Sequence, residues 1–134
     1  MLRTRSRSPL RISIAILAVT AAVLVPAAAA SASQVSYSGS VLTYTAASGE
    51  ANGPIVTTNP YDLLCGSVPA PCLEIFDPYA TISVPGGKCT GGGTTDVLCE
   101  MPSSIVANLG DRDDSYYGWG GDDTVDAGPG NDNP

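Results

Sequence analysis

Apolar and polar side chains alternate in several short segments of this chain, which is the pattern of half-buried β-strands. The alternation predicts strands at residues 41–45, 73–76, 80–84 and 105–109. Glycine and proline lie between these segments, as at 52–54 and 85–87, and end each strand in a turn. No window after residue 32 has the 3.6-residue period of an amphipathic helix. The pattern therefore predicts an all-β fold of short strands.

The first 32 residues have a different pattern from the rest of the chain. Four arginines precede an apolar stretch at 12–25, and Pro26 ends that stretch. Ala30-Ser31-Ala32 is a cleavage motif, and 28–30 offers an alternative one. These parts predict a secretory signal peptide at 1–32 and a secreted, extracellular protein. A membrane anchor is disfavoured, and no membrane span is expected, because the apolar stretch is shorter than the about 20 residues that a span needs.

Charge is distributed very unevenly along the chain. All 13 acidic residues follow residue 32, where the only bases are Lys88 and Arg112, so the mature chain has a net charge of −11. No basic patch is present to neutralise phosphates, which excludes nucleic acid as a partner. An anionic membrane would also repel this surface unless a cation bridged them. A protein or cell-surface partner is not identified by the sequence.

Four cysteines, Cys65, Cys72, Cys89 and Cys99, predict two disulfides in a secreted chain. Three connectivities exist. We favour pairing of neighbours, 65 with 72 and 89 with 99, because each bond closes a short loop rich in glycine and proline. A zinc site is disfavoured, since zinc ligands usually lie two to four residues apart and the chain has no histidine.

Residues 109–134, LGDRDDSYYGWGGDDTVDAGPGNDNP, repeat a nine-residue pattern. The units are 109–117, 118–126 and 127–134, and aspartate occupies the sixth place of each as Asp114, Asp123 and Asp132. Glycine recurs at the second and fourth places. This pattern resembles the Gly-Gly-x-Gly-x-Asp-x-(large apolar)-x repeat of hemolysin-type (RTX) calcium-binding proteins.

The resemblance implies a β-solenoid in which two nonapeptides form one turn of a parallel β-roll and calcium binds between loops two repeats apart. Asp114 and Asp132 would then lie on one side of the roll and Asp123 on the other. Ca²⁺ takes six to eight oxygen ligands, and glycine lets a loop turn through positive φ. The expected metal-site residues are Asp114, Asp122, Asp123, Asn131 and Asp132, with Gly118, Gly120, Gly128 and Gly130.

Residues 33–108 also resemble a known segment. They are similar to the leader of secreted actinobacterial RTX-type proteins in the order of their parts. These parts are VLTYTAASGEAN at 41–52, a strand around Phe76-Asp77, ATISVPGGKC at 80–89 followed by Cys99, and a strand leading into Leu109-Gly110-Asp111. That resemblance supports the 89–99 bond, whereas the insert 66–71 departs from it. We hypothesise that this β-rich leader caps the solenoid, whose open strand edges would otherwise invite aggregation.

The array departs from the repeat at several positions. Leu109, Arg112 and Trp119 stand where glycines belong, and Pro134 stands where an apolar strand residue belongs. The array is therefore incomplete, as in a truncated reading of a longer chain or in a vestigial array. A flexible acidic tail is the alternative, because 111–132 holds seven Asp and one Arg.

Other chemistry is not supported. The absence of histidine excludes Ser-His-Asp and Cys-His catalytic sites, and no phosphate-binding loop occurs, so we expect no enzyme. An EF-hand beginning at Asp111 is set aside because Tyr116 replaces its essential glycine. Strand alternation places Tyr116 inward and Tyr117 outward, as a core residue and a surface aromatic.

The sequence therefore predicts a secreted calcium-binding protein of structural or adhesive function, whose Gly/Asp repeats fold on binding Ca²⁺. One alternative is a small secreted β-domain for protein or carbohydrate interaction with a disordered acidic tail. Another is the N-terminal fragment of a larger RTX enzyme or toxin.

Overall fold

The computed structural model describes residues 32–134 of the chain. The predicted signal peptide, 1–32, lies outside the described residues except for Ala32. None of the helical structure within 32–134 is long and apolar enough to cross a membrane.

Short strands dominate the described part of the chain, so the predicted all-β fold is confirmed. The strands are β1 Ser33–Ser38, β2 Val41–Thr45, β3 Ile55–Asn59, β4 Cys72–Phe76, β5 Ile82–Ser83, β6 Cys89–Thr90, β7 Asp96–Glu100, β8 Ser104–Asn108 and β9 Asp122–Asp126. Residues 32–134 also contain one helical turn, α1 Asp62–Cys65, which was not expected. The alternation correctly indicated β2, β4, β5 and β8, and it gave no signal for β1, β3, β6 and β7. A strand in the second repeat, where β9 lies, was implied by the RTX resemblance alone.

The strands form two sheets of different construction. Sheet A has the order β5-β1-β2-β8-β9, in which β1 and β2 form an antiparallel hairpin and the other neighbours are parallel. Sheet B has the order β3-β4-β7-β6 and is antiparallel throughout. Because the sheets differ in size and strand direction, the fold as a whole is not a solenoid.

Part of sheet A is nevertheless stacked in parallel register. Tyr44 of β2 lies beside Ala107 of β8, and Ala107 lies beside Val125 of β9. Parallel neighbours require the chain to return to the same end of the sheet between strands. The chain makes this return through sheet B between β2 and β8, and through the loop and turn at 109–121 between β8 and β9.

One apolar core joins the two sheets. The buried residues that sheet A contributes are Val35, Leu42, Tyr44, Ile82, Ile105 and Ala107. Those that sheet B contributes are Val56, Leu73, Ile75, Val97 and Cys99. Leu109 and Tyr116 complete the same cluster. Each fully buried large apolar side chain stabilises the fold by about 1.5–3 kcal/mol, so the beginning of the repeat region is fixed by the core that holds the leader.

Both predicted disulfides are present, with the predicted pairing. Cys65 at the end of α1 bonds to Cys72 at the start of β4. Cys89 of β6 bonds to Cys99 of β7, directly opposite in the register of sheet B. Disulfides of this kind are typical of proteins from oxidising compartments.

Candidate functional site

Three loops stack where the parallel strands β2, β8 and β9 end. They are termed loop 1 (46–52), loop 2 (109–114) and loop 3 (127–132). The strand register continues into the loops, because the amide of Ala46 donates to the carbonyl of Asn108 at 2.9 Å and the amide of Leu109 donates to the carbonyl of Asp126 at 2.9 Å. Equivalent positions of successive loops are therefore neighbours.

Loops 2 and 3 are joined through aspartates at an interval of 18 residues. The amide of Asp114 donates to the Asp132 carboxylate at 2.9 Å, and the amide of Asn131 donates to the Asp113 carboxylate at 2.9 Å. The amide of Asn133 donates to the carbonyl of Asp114 at 2.8 Å. Asp114 and Asp132 are thus neighbours, and 18 residues are two nonapeptides.

Loops 1 and 2 are joined in a similar way at an interval of 62 residues. The amide of Asn52 donates to the Asp114 carboxylate at 2.7 Å, and the amide of Gly49 donates to the Asp111 carboxylate at 2.7 Å. The amide of Ser115 returns a hydrogen bond to the carbonyl of Asn52 at 3.0 Å. Loop 1 belongs to the leader, so the leader and the repeats share one stack of loops.

Asp114 is the most unusual residue of the stack. Its side chain is only 4% exposed, and its Oδ1 accepts the Asn52 amide. Within residues 32–134, its Oδ2 is the only buried side-chain oxygen or nitrogen with no hydrogen-bond partner. Leaving such an atom unpaired costs about 1–3 kcal/mol, and more for a charged group. This carboxylate oxygen is therefore in a position that a cation would stabilise.

The electrostatic setting of Asp114 agrees with this interpretation. Burial raises the pKa of the Asp114 carboxyl, and the nearby carboxylates of Asp132, Asp111 and Asp77 raise it further, against the lowering effect of the Asn52 amide. Nearby negative charges make ionisation of the Asp114 carboxyl unfavourable. A bound cation would reverse the effect.

Glycines allow loop 3 to approach loop 2 closely. A β-carbon at Gly128 would collide with the carbonyl oxygen of Gly110, and one at Gly130 would collide with the carbonyl oxygen of Arg112. Gly128 also has a φ of +73°, which favours glycine. Two backbone carbonyl oxygens of loop 2 consequently lie directly against loop 3.

Arg112 occupies a place where the repeat pattern has glycine. Its φ is +98°, the one positive value among the non-glycine residues of the described range. Conformations of this kind cost of order 1–3 kcal/mol for a residue with a β-carbon. Loop 2 therefore keeps the backbone of a glycine-containing loop while carrying an arginine.

The remaining predicted site residues lie near the opposite end of β9. Asp122 and Asp123 begin that strand, and the Asp123 carboxylate accepts hydrogen bonds from the Tyr116 hydroxyl at 3.2 Å and the Trp119 Nε1 at 3.1 Å. A β-carbon at Gly118 would collide with this carboxylate, whereas Gly120 faces open space at a φ of +91°. The Asp123 carboxylate is thus the hydrogen-bond acceptor of Tyr116 and Trp119, and it is separated from the Asp114–Asp132 pair.

The geometry sets a limit on any metal site. Within 32–134, no three His, Cys, Asp or Glu side chains are grouped so that they could hold a metal ion by themselves. A cation at Asp114 would need backbone oxygens as well. Calcium accepts mixtures of carboxylate and carbonyl oxygens, and the carbonyls of Gly110 and Arg112 adjoin the same interface. The donors present therefore fit calcium better than a metal that needs side-chain ligands alone.

Sequence reasoning missed the residues that support Asp114 from the leader. Asp77 is fully buried, and its carboxylate accepts the Tyr44 hydroxyl at 2.6 Å. Asn52 is also buried and contacts both Tyr44 and Asp114. These residues are far apart in the chain, so no local pattern marks them. The segment VLTYTAASGEAN was noted for a strand at 41–45 and for its resemblance to a leader, without a role at the site.

Comparison of the chain with protein-family models, with curated proteins and with solved structures found no match in any of the three.

Proposed function

We propose that this chain is a secreted calcium-binding protein whose stacked Gly/Asp loops fold on binding Ca²⁺ and extend sheet A as a short parallel β-roll. The observation that carries the proposal is the buried Oδ2 of Asp114, which has no hydrogen-bond partner and lies in the loop that contacts Asp132. The interval of 18 residues between these aspartates supports the assignment of two nonapeptides to each turn.

Calcium would supply positive charge between carboxylates that otherwise repel one another. Asp114 and Asp132 would hold the ion, with the backbone carbonyls of Gly110 and Arg112 as neutral oxygen donors. Extracellular calcium modules typically bind at about 10⁻⁴–10⁻³ M. The loops would therefore remain open at cytosolic calcium concentrations and close after export.

The consequence of binding would be structural rather than catalytic. Anything that binds only the folded state stabilises it, and a metal that joins loops 2 and 3 also fixes β9 against β8. The two disulfides stabilise sheet B independently of calcium. We infer a structural or adhesive protein of the cell exterior, in which calcium switches the repeat region from loose to ordered.

Isothermal titration calorimetry on the oxidised mature chain, 33–134, tests the proposal. We expect saturable calcium binding, weakened about tenfold or more in Asp114→Asn and in Asp132→Asn. Asp62→Asn is the matched control, because Asp62 is an exposed acid of α1 with no hydrogen bond to the loops. Absence of a binding heat at millimolar calcium, or equal effects of all three variants, would refute the proposal.

A second function is favoured by one surface feature. Ile55 pairs with Phe76 across sheet B and is bridged to Tyr117, and these three side chains are 37%, 38% and 58% exposed. A row of rigid apolar and aromatic groups on a sheet face is suited to stacking against sugar rings. The acidic net charge of the chain favours a neutral carbohydrate.

Affinity electrophoresis in gels that contain a soluble neutral glucan tests this second function. Retardation of the wild-type chain that is lost in Tyr117→Ala, with calcium binding unchanged, would support it. Equal mobility in gels with and without the glucan would exclude binding of that polymer.

A further inference from the structure

A buried hydrogen-bond network connects sheet B to the loop that carries Asp114. Its members come from four separate parts of the chain, and each is almost completely inaccessible to solvent. They are Ser33 of β1, Tyr44 of β2, Asn52 of loop 1 and Asp77 after β4. Buried polar networks with satisfied partners fix side-chain positions strongly.

Asp77 anchors the network on the side of sheet B. Its Oδ1 accepts the amides of Gly53 at 3.2 Å and Tyr79 at 2.9 Å, and its Oδ2 accepts the Tyr44 hydroxyl at 2.6 Å. Charge-assisted hydrogen bonds of this length are among the stronger ones in proteins. The position of the Tyr44 hydroxyl is therefore determined by a residue outside sheet A.

Asn52 carries the connection to the proposed metal site. Its side-chain Oδ1 accepts the Ser33 hydroxyl at 3.0 Å and lies 3.0 Å from the Tyr44 hydroxyl. Because a hydroxyl has one proton, Tyr44 divides it between Asn52 and the closer Asp77 carboxylate. The backbone amide of Asn52 donates to Asp114 Oδ1 at 2.7 Å, so the residue held by Tyr44 and Ser33 in turn holds Asp114.

We propose that Tyr44, together with Asp77, is a positioning residue for the calcium site. The pair fixes Asn52, the Asn52 amide binds one oxygen of Asp114, and the other oxygen is left without a protein partner for the metal. This inference rests on the proposed calcium function and deepens it. The end of β4 in sheet B, where Asp77 lies, is then energetically coupled to metal binding in the repeats, so the leader does more than cover the end of the sheet.

The coupling has a direct test in Tyr44→Phe, which removes the hydroxyl but keeps the ring in the core. Tyr37→Phe is the matched control, because Tyr37 lies on the neighbouring strand β1 and its hydroxyl donates to the backbone carbonyl of Glu100, away from the loops. By calorimetry on the mature chain, we expect Tyr44→Phe to weaken calcium binding about tenfold, within the usual range of coupling between sites. The control should change the affinity less than about twofold.

A second measurement separates positioning from general destabilisation. Tyr44→Phe loses a buried hydroxyl and Tyr37→Phe loses a partly buried one, and we expect both to lower the melting temperature of the calcium-free chain. Only Tyr44→Phe should reduce the increase in melting temperature that calcium produces. If wild-type protein binds no calcium, the proposed function is refuted. If it binds and the two variants have equal affinity, the function stands and the positioning role is refuted.

Ser33→Ala provides a milder variant in case Tyr44→Phe does not fold. It removes the hydroxyl that lies 3.0 Å from Asn52 Oδ1 and 3.2 Å from the Glu50 carboxylate, and it leaves Tyr44 in place. Calcium binding several-fold weaker than that of wild type would support the network, and wild-type affinity would overturn it.

Discussion

The backbone amide of Asp114 donates a 2.9 Å hydrogen bond to the carboxylate of Asp132, 18 residues later in the chain. The same interval relates the paired residues Ala107 and Val125 of β8 and β9. Strand register and loop contacts therefore follow a single period of two nonapeptides. This agreement supports the proposal that the repeat region is a stack of calcium-binding loops.

Arg112→Gly should stabilise the folded chain. The change relieves a left-handed backbone conformation that costs of order 1–3 kcal/mol. It also destabilises the folded state by about 0.4–1 kcal/mol, because glycine gives the unfolded chain more conformational entropy. We expect a net gain of about 1 kcal/mol in the free energy of unfolding by urea titration. Arg112→Ala is the control, since it removes the same charge but keeps the β-carbon, and an equal gain in both variants would contradict the backbone explanation.

Gly130→Ala should have the opposite effect. Its β-carbon would collide with the carbonyl oxygen of Arg112, and the forced shift of loop 3 should destabilise the chain by about 1–3 kcal/mol. It should also weaken calcium binding, because loops 2 and 3 would be separated. Gly87→Ala is the matched control, with open space around the added carbon and no positive φ, and thermal unfolding in the presence of calcium compares the two. Similar melting temperatures for both variants would show that the close approach is not required.

The pH dependence of the calcium-free chain should contain a contribution from Asp114. Burial raises its pKa in the folded state, so this contribution is fully present below the ordinary Asp pKa of about 3.9 and is lost as the pH rises through the raised folded pKa. Relative to Asp114→Asn, the wild-type chain should gain stability when the pH falls from about 7 to about 5. The pKa of Asp111 is lowered, chiefly by the Gly49 amide, and this opposite contribution cancels because both proteins contain Asp111. Parallel pH profiles of the two proteins in urea titrations would contradict the prediction.

Removal of the Cys65–Cys72 bond should reduce stability without abolishing the calcium response. The bond closes a loop with a sequence separation of seven, and the chain-entropy relation gives about 2.5 kcal/mol for a loop of this size. Its residues form a small apolar cluster with Val68 that is separate from the main core. Cys65→Ser with Cys72→Ser should therefore unfold at lower urea and still bind calcium with wild-type affinity by calorimetry. A loss of affinity would mean that the insert 66–71 contributes to the site.

Part of the fold was visible in the sequence because its cause is local. Leu42 and Tyr44 in β2, like Ile105 and Ala107 in β8, alternate with less buried residues and line one buried face. This pattern is needed whichever strand pairs with them. The cysteine pairing was likewise indicated by short loops. Tyr116 was expected to lie inward and Tyr117 outward, and their exposures of 7% and 58% confirm this.

The remainder depends on contacts between distant residues. Strand β9, DDTVD, has Val125 as its single apolar residue and is a strand because β8 lies beside it. Asp77 lay in the segment that resembles a leader, but no role could be assigned to it, since its partner Tyr44 is 33 residues away. Asp123 was expected in a calcium loop, but the tertiary structure brings Trp119 and Tyr116 to its carboxylate. Repeat spacing could therefore predict the Asp114–Asp132 neighbourhood, whereas the support from the leader could not be predicted.

A crystal structure of the mature chain grown with calcium would show whether a calcium ion binds between loops 2 and 3 at Asp114. Anomalous scattering locates the ion without assumptions about its ligands. We predict a calcium peak about 2.3–2.6 Å from Asp114 Oδ2, with Asp132 and backbone carbonyls of loop 2 as further ligands. A structure from saturating calcium with no peak at Asp114, or with peaks only at exposed acids such as Asp122, would contradict the proposal.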